Sequence, residues 1–171
     1  MSESGGPVLI RVVVMDLHAN LEPVAALVGV WKGPGQGFYP TIKTFDYVEE
    51  LTFTNIGKPF LHYQQKTWSP TGTPLHTETG YLRIPTPGNV EFILALPTGQ
   101  TEIAEGTLVE GEAGFKVSLT STLHNSSSAK RVDATTRKYT LSGDVLEMRF
   151  GMAAVGQPMT DHLAATLTRV D

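Results

Sequence analysis

Apolar and polar residues alternate along most of this chain, and the alternation predicts β-strands after residue 31. In residues 146–152, Leu, Met, Phe and Met occupy every second position, with Glu and Arg between them. Because successive side chains of a strand point to opposite faces, this pattern is typical of a strand buried on one side. Further strands are predicted at residues 45–54, 60–68, 76–84, 90–96, 100–109, 115–119, 139–141 and 161–170.

Short segments rich in turn residues separate the predicted strands. Examples are residues 55–59 (NIGKP), 70–74 (PTGTP) and 142–144 (SGD). About ten short strands at this spacing favour an all-β sandwich or an up-and-down barrel. Consecutive tight hairpins favour an antiparallel meander, and closure removes exposed strand edges. We therefore predict a barrel.

The amino-terminal region has a different pattern. Residues 1–19 show no clear period, and we predict a flexible leader followed by a single domain over residues 20–171. Asn20 as a cap, with Glu22 and Pro23 in the first turn, predicts a short helix ending near Leu27.

Composition excludes several classes of protein. The 171 residues include 13 Lys and Arg against 17 Asp and Glu, a net charge of −4. Without a basic stripe, nucleic-acid binding is not expected. The chain has no cysteine, which excludes disulfides, thiolate zinc sites and thiolate ligation of haem. No apolar run near the amino terminus is long enough for a signal or membrane segment, so we expect a cytoplasmic protein.

The residues alone suggest few catalytic candidates. Residues 33–37 (GPGQG) are interpreted as a loop, because no helix follows as a dinucleotide site requires. His162 shares strand parity with Ala164, Thr166 and Thr168, which would leave space for a bulky ligand. His76 follows a Pro-rich turn, a position expected at a barrel rim. Met152 could line the same cavity, although methionine more often fills a core.

Four spaced blocks of sequence resemble one family. Residues 29–35 (GVWKGPG) match the G-x-W-x-G-x-G signature of nitrobindins at every fixed position, and residues 37–42 (GFYPTI) continue the match. Residues 65–68 and 74–80 resemble the next two blocks, and residues 158–167 resemble the block around His162. The resemblance spans roughly residues 20–170.

The resemblance implies a fold and a function. Nitrobindins are antiparallel ten-stranded barrels, similar to fatty-acid-binding proteins, that bind haem b at one end and react with nitric oxide and peroxynitrite. Relatives of this kind isomerise peroxynitrite to nitrate at ferric haem. The resemblance therefore implies a haem-dependent peroxynitrite isomerase with one haem per chain, and a homodimer is reasonable on the same ground.

The resemblance also assigns residues. His162 corresponds to the axial iron ligand, and Thr41 and Lys130 match residues that approach the haem. Leu75, His76 and Met152 fall where the family lines its haem pocket; some relatives have Met at the position of Leu75. Lys130 is either a partner of a haem propionate or simply solvated, and the role of His76 is open between gating, stacking and proton transfer.

The glycine and tryptophan signature is expected to support structure. Trp31 would fill the closed end of the barrel, and Gly29, Gly33 and Gly35 would allow close approach of the backbone there. Two rival functions remain at this point: a haem-based nitric oxide carrier or sensor without turnover, and a haem-free carrier of an apolar ligand.

Overall fold

The structure, a computed structural model, describes residues 15–170, so most of the predicted leader lies outside the described residues. A 3₁₀ helix, Ala19–Leu27, is followed by ten strands. The strands are β1 (Gly29–Tyr39), β2 (Ile42–Asn55), β3 (Phe60–Trp68), β4 (Pro74–Arg83), β5 (Asn89–Leu96), β6 (Gln100–Gly111), β7 (Gly114–Asn125), β8 (Val132–Ser142), β9 (Val145–Ala154) and β10 (Thr160–Val170).

The strands form a closed antiparallel barrel in which each pairs with its neighbours in the chain and β1 closes the circle on β10. The closing register pairs Trp31 with Arg169 and Gly35 with Ala165. This confirms the predicted ten-stranded up-and-down barrel with a short helix near its amino terminus. Within the part of the chain that the structure describes, no helix is long and apolar enough to cross a membrane.

The glycine-rich segment at residues 33–37 is part of strand β1, so the loop interpretation was wrong. The glycines are needed for contacts with neighbouring strands. A Cβ on Gly35 would lie 2.3 Å from Cζ of Tyr47, and a Cβ on Gly33 would lie 2.2 Å from the Thr166 carbonyl oxygen. The backbone of β1 at Gly35 is therefore covered by an aromatic ring from β2. Glycine occurs within strands at such places, where another group approaches the backbone closely.

The 3₁₀ helix covers one end of the barrel with three buried side chains, those of Leu21, Val24 and Leu27. Trp31 is fully buried at this end, and its indole N–H donates a hydrogen bond of 2.8 Å to the Leu27 carbonyl oxygen. The Arg169 guanidinium lies over the same indole, 4.3 Å from the ring centroid. Trp31 thus joins the helix to the barrel wall, and Gly29 begins β1 beside it with a φ of 133°.

The cap of this helix differs from the predicted one. His18 lies at the cap position, and its Nδ1 accepts a 3.2 Å hydrogen bond from the backbone N–H of Asn20. The Asn20 side chain instead donates to the Ile84 carbonyl oxygen at 3.3 Å. Asn20 therefore ties the helix to the barrel rather than capping it.

Candidate functional site

The barrel end opposite the helix is formed by five turns, and we call it the mouth. Its turns span residues 40–41, 69–73, 97–99, 126–131 and 155–159. Hydrogen bonds join neighbouring turns, from the Ser126 N–H to the Gly99 carbonyl at 2.8 Å and from the Val155 N–H to the Arg131 carbonyl at 3.2 Å. The antiparallel topology brings all six predicted haem-site residues to this end: Thr41, Leu75, His76, Lys130, Met152 and His162.

His162 lies in a β-bulge near the start of β10. Asp161 pairs with Gly151 and Leu163 pairs with Phe150, so the register shifts at the residue between them. The bulge turns His162 toward the rings of Tyr39 and Phe150, with centroids 5.4 and 6.2 Å away. A bulge commonly re-aims a side chain in this way.

The expectation that His162 shares a face with small residues was therefore wrong. Thr166 and Thr168 are exposed on the outer face of β10, whereas Ala165 and Leu167 are buried inside the barrel. Strict alternation would place His162 outside with the threonines, and the bulge breaks that alternation. The histidine is half-buried beside aromatic rings.

The protonation of His162 follows from one hydrogen bond. Its Nδ1 lies 2.9 Å from the Phe38 carbonyl oxygen, which can only accept, so Nδ1 carries the proton. Burial lowers the pKa of His162, and the bond to Phe38 opposes that effect only in part. The ring is thus neutral at pH 7, with the lone pair of Nε2 bare. Neutral imidazole oriented by a carbonyl acceptor is the usual protein ligand for haem iron, so His162 fits that role.

Tyr39 fixes the strands around this histidine. Its hydroxyl accepts a hydrogen bond of 3.1 Å from the Ala154 N–H and lies 3.2 Å from the Ala154 carbonyl oxygen, to which it can donate. The end of β1 is thereby tied to the end of β9, directly beside the bulge. The Tyr39 ring meets the His162 ring edge to face, with an interplanar angle of 72°. Tyr39 therefore restrains the orientation of His162.

His76 faces the interior from β4. Its backbone N–H donates to Oγ1 of Thr67 at 3.0 Å. Burial lowers the pKa of His76, the charge of Glu78 opposes this, and the charge of Arg137 lowers it further. His76 shares strand parity with the buried Glu78, so its side chain lies on the inner face of β4 near the mouth.

The other predicted residues lie around the rim. Leu75 is 50% exposed, and Thr41 is also exposed. Lys130 has an exposed side chain, while its carbonyl oxygen accepts a 2.8 Å hydrogen bond from Nε2 of Gln100. Met152 is half-buried at the end of β9. These side chains surround the entrance rather than its floor.

The floor is a buried ionic layer that the sequence analysis missed; it comprises Glu49, Gln65, Glu78, Glu102 and Arg137. The Arg137 guanidinium donates to both Glu78 oxygens at 2.7 and 3.0 Å, and to both Glu102 oxygens at 3.1 and 2.8 Å. Despite burial, Arg137 holds the pKa of Glu102 below its ordinary value, assisted by hydroxyl groups of Thr135 and Ser121.

Glu49 is the member of the ionic layer with neutral hydrogen-bond partners. It is fully buried and accepts from Nε2 of Gln65 at 2.5 Å and from the Tyr47 hydroxyl at 3.4 Å. Burial is the main cause that raises the pKa of Glu49 to about 7, and the hydrogen bond from Gln65 opposes it. The sequence held a signal for this layer, because Glu49 shares strand parity with the buried Leu51 and Phe53.

Phe150 connects the ionic layer to the histidine. The Arg137 guanidinium carbon lies 4.9 Å from the Phe150 ring centroid, and the His162 ring centroid lies 6.2 Å from it. The mouth therefore combines a neutral imidazole, aromatic walls and a charged floor. Among the described residues, every buried side-chain nitrogen and oxygen has a hydrogen-bond partner.

Comparison with known proteins identifies the same kind of domain. A family model described as "THAP4-like, heme-binding beta-barrel domain" matches residues 20–169. The chain is 50% identical over 155 residues to the peroxynitrite isomerase of Nocardia farcinica, covering 90% of this chain and 92% of that protein. It is also 50% identical over 157 residues to peroxynitrite isomerase 1 of Mycolicibacterium paratuberculosis, covering 90% and 97% of the two chains.

A solved structure agrees with the family match. The crystal structure of Rv2717c from M. tuberculosis superposes with a TM-score of 0.87 at 46% sequence identity, covering 91% of this chain and 100% of that one. The resemblance to nitrobindins is thereby confirmed, and the chain belongs to the THAP4-like haem-binding β-barrel family.

Proposed function

We propose that this protein binds one haem b at the mouth, with His162 as the residue that would hold the iron, and isomerises peroxynitrite to nitrate. The main support for haem binding is the hydrogen bond of 2.9 Å between Nδ1 of His162 and the Phe38 carbonyl, which leaves Nε2 free to bind iron. Relatives at 50% identity that are named peroxynitrite isomerases support the reaction. Bound haem supplies an iron centre at which peroxynitrite can rearrange.

The residues of the chain hold and orient this group. Phe38 fixes the imidazole tautomer, and the Tyr39 ring restrains its rotation. The Phe150 ring offers an apolar surface between His162 and the ionic layer. Enclosure of this kind strengthens electrostatic interactions, because little water remains to screen them.

The rim residues would complete the pocket. Leu75 and Met152 offer apolar contact to a porphyrin, and Thr41 offers a hydroxyl. Lys130 supplies a positive charge for an anionic propionate, which requires its exposed side chain to turn toward the entrance. Because burial lowers the pKa of His76, this residue would be a neutral imidazole there, and gating, stacking and proton transfer are its candidate roles.

The proposal extends to nitric oxide, because a bound haem would supply an iron that can take up diatomic ligands. Two further parts rest on the sequence and its resemblance: a cytoplasmic location, consistent with a chain that has no cysteine, and assembly as a homodimer. Sedimentation of the haem-loaded protein would measure the oligomeric state directly.

Titration with haemin tests the axial ligand. The unsubstituted protein should develop a Soret band that saturates at one haem per chain, and His162→Gly should lose it. Added imidazole should restore the band in His162→Gly, since a free ring can replace the missing side chain. His124→Ala is the matched control, because His124 is an exposed histidine near the same end of the barrel. An unchanged band in His162→Gly without imidazole would exclude His162 as the ligand.

Stopped-flow decay of peroxynitrite tests the reaction. The haem-loaded protein should give more nitrate per haem, and faster decay, than free haemin at equal concentration. Equal yields with bound and free haemin would favour the nitric oxide carrier or sensor. A protein that takes up no haem and releases lipid on extraction would favour the apolar-ligand carrier.

A further inference from the structure

The ionic layer contains more acidic groups than basic ones. Three carboxyl groups, those of Glu49, Glu78 and Glu102, face one guanidinium from Arg137, and all four side chains are buried. Arg137 uses its hydrogen-bond donors on Glu78 and Glu102. With both of these carboxylates ionised, the group of three carries a net charge of −1 before Glu49 is counted.

Glu49 lies beyond the direct reach of that guanidinium. Its partners are the Gln65 amide and the Tyr47 hydroxyl, neither of which carries a charge. The titratable and charged groups whose charges act on or respond to Glu49 come from β2, β3, β4 and β8: Tyr47, Tyr63, Glu78, Arg137 and Tyr139. Ionised Glu49 would therefore add a second uncompensated negative charge to the barrel interior.

A buried carboxyl group in this setting exchanges a proton near neutral pH. Burial is the largest influence on the pKa of Glu49 and raises it, the charge of Glu78 raises it further, and Arg137 lowers it only weakly in comparison. Ionisation of Glu49 thus changes the interior charge within a pH range where proteins function.

The ionic layer that contains Glu49 reaches toward the proposed haem site through Arg137. Phe150 contacts both the Arg137 guanidinium and the His162 ring, so the ionic layer and the proposed iron ligand are separated by one aromatic side chain. Electrostatic interactions act over longer distances in such an interior than in water. A negative charge there stabilises iron in its more positive, ferric state.

We propose that Glu49 tunes the reduction potential of haem held by His162, because its ionisation favours ferric over ferrous iron. This inference rests on the proposed function. In the ferric-to-ferrous change, the iron gains one electron from the electrode or a one-electron reductant, and Glu49 takes up one proton from solvent. The ferric state is the one that the proposed isomerisation uses.

Spectroelectrochemical titration of haem-loaded protein between pH 5.5 and about 8.5 tests the proposal. As pH rises, the midpoint potential should fall more steeply in the unsubstituted protein than in Glu49→Gln, whose side chain at position 49 cannot ionise. Glu105→Gln is the matched control, because Glu105 is an exposed residue and its loss changes the net charge equally. Parallel pH dependences in the unsubstituted protein and Glu49→Gln would overturn the proposal.

A second variant predicts a direction. The hydrogen bond from Gln65 lowers the pKa of Glu49, so Gln65→Met should move the pH dependence of the potential to higher pH. Movement to lower pH would contradict the assignment to Glu49.

Infrared difference spectra of the haem-free protein measure the same proton without iron. The carbonyl stretch of a protonated carboxyl group should disappear as pH rises through neutrality, and Glu49→Gln should lack that change. Its persistence in Glu49→Gln would overturn the proposal. Failure of the proposed function would appear separately, as the absence of a Soret band.

Discussion

Replacement of Arg137 by methionine would test how the barrel tolerates charges in its interior. Methionine keeps an unbranched chain of similar length and removes the guanidinium. The variant would leave Glu78 and Glu102 buried without the group that donates to all four of their oxygens. Breaking a buried ion pair by removing one partner is among the most destabilising single changes in proteins.

The magnitude follows from the distances. The nitrogen–oxygen separations are 2.7–3.1 Å, and unit charges about 3 Å apart attract by about 5 kcal/mol at an effective dielectric constant of about 20. Desolvation of the ions cancels much of this attraction in the native protein. Removal of one partner keeps the desolvation cost of the other, so we expect Arg137→Met to lose about 3–5 kcal/mol of unfolding free energy.

Urea unfolding at pH 8 and pH 5, followed by circular dichroism, measures the loss. Arg137 lowers the pKa of Glu102, so its removal should let the carboxyl group take up a proton at mildly acidic pH. The difference in stability between Arg137→Met and the unsubstituted protein should therefore shrink from pH 8 to pH 5. The melting temperature at pH 8 should fall by about 6–20 °C, since 1 kcal/mol corresponds to about 2–4 °C at this size.

A variant without the charges separates electrostatics from packing. Glu78→Gln and Glu102→Gln, combined with Arg137→Met, remove all three ionised groups and nearly retain the volumes. This triple variant should recover most of the lost stability, because positions 78 and 102 no longer carry the charges that the guanidinium compensated. A loss below about 1 kcal/mol in Arg137→Met, or no recovery in the triple variant, would refute the reasoning.

Three further predictions concern single positions. The pKa of Glu49 is raised from 4.5 to about 7, so Glu49 loses its proton at lower pH in the unfolded chain than in the folded protein. The unfolding free energy of the unsubstituted protein, relative to that of Glu49→Gln, should therefore fall by about 3 kcal/mol between pH 4.5 and pH 7. Urea titrations measure this difference, and a difference that does not change with pH would contradict the prediction. Gly35→Ala places a Cβ 2.3 Å from Tyr47 and should lower stability by about 1–3 kcal/mol in urea, whereas an unchanged midpoint would exclude the clash. Trp31→Phe removes the hydrogen bond to Leu27 and should cost about 1–3 kcal/mol by calorimetry, with a cost near zero counting against that bond.

The barrel could be predicted because its strands follow simple alternation. Residues 45–54 and 60–68 lie within β2 and β3, and the turn-rich segments between strands form turns. The exception is β1, where glycine and proline have low strand propensity. Strand β1 pairs with β2 and β10, and its Gly35 makes room for the ring of Tyr47, a contact that local sequence does not reveal.

The site could be predicted only in part. The family resemblance supplied His162, but strand parity grouped it with Thr166 and Thr168, and the bulge that separates it from them is not visible in the alternation. The ionic layer was detectable in principle, since Arg137 lies on the same face of β8 as the buried Tyr139 and Leu141. Its pairing with Glu78, 59 positions away in the sequence, depends on closure of the barrel.

The closed circle of strands decides how molecules exchange with the interior. Every strand is hydrogen-bonded on both sides, so passage through the wall would require a complete ladder to separate. The 3₁₀ helix covers one end, which leaves the mouth as the route with the least structure to disrupt. A cofactor bound at the mouth would thus block the exchange of other molecules with the barrel interior. Loading and loss of that cofactor should then be governed by motions of the five turns, and rigidifying those turns should slow both processes.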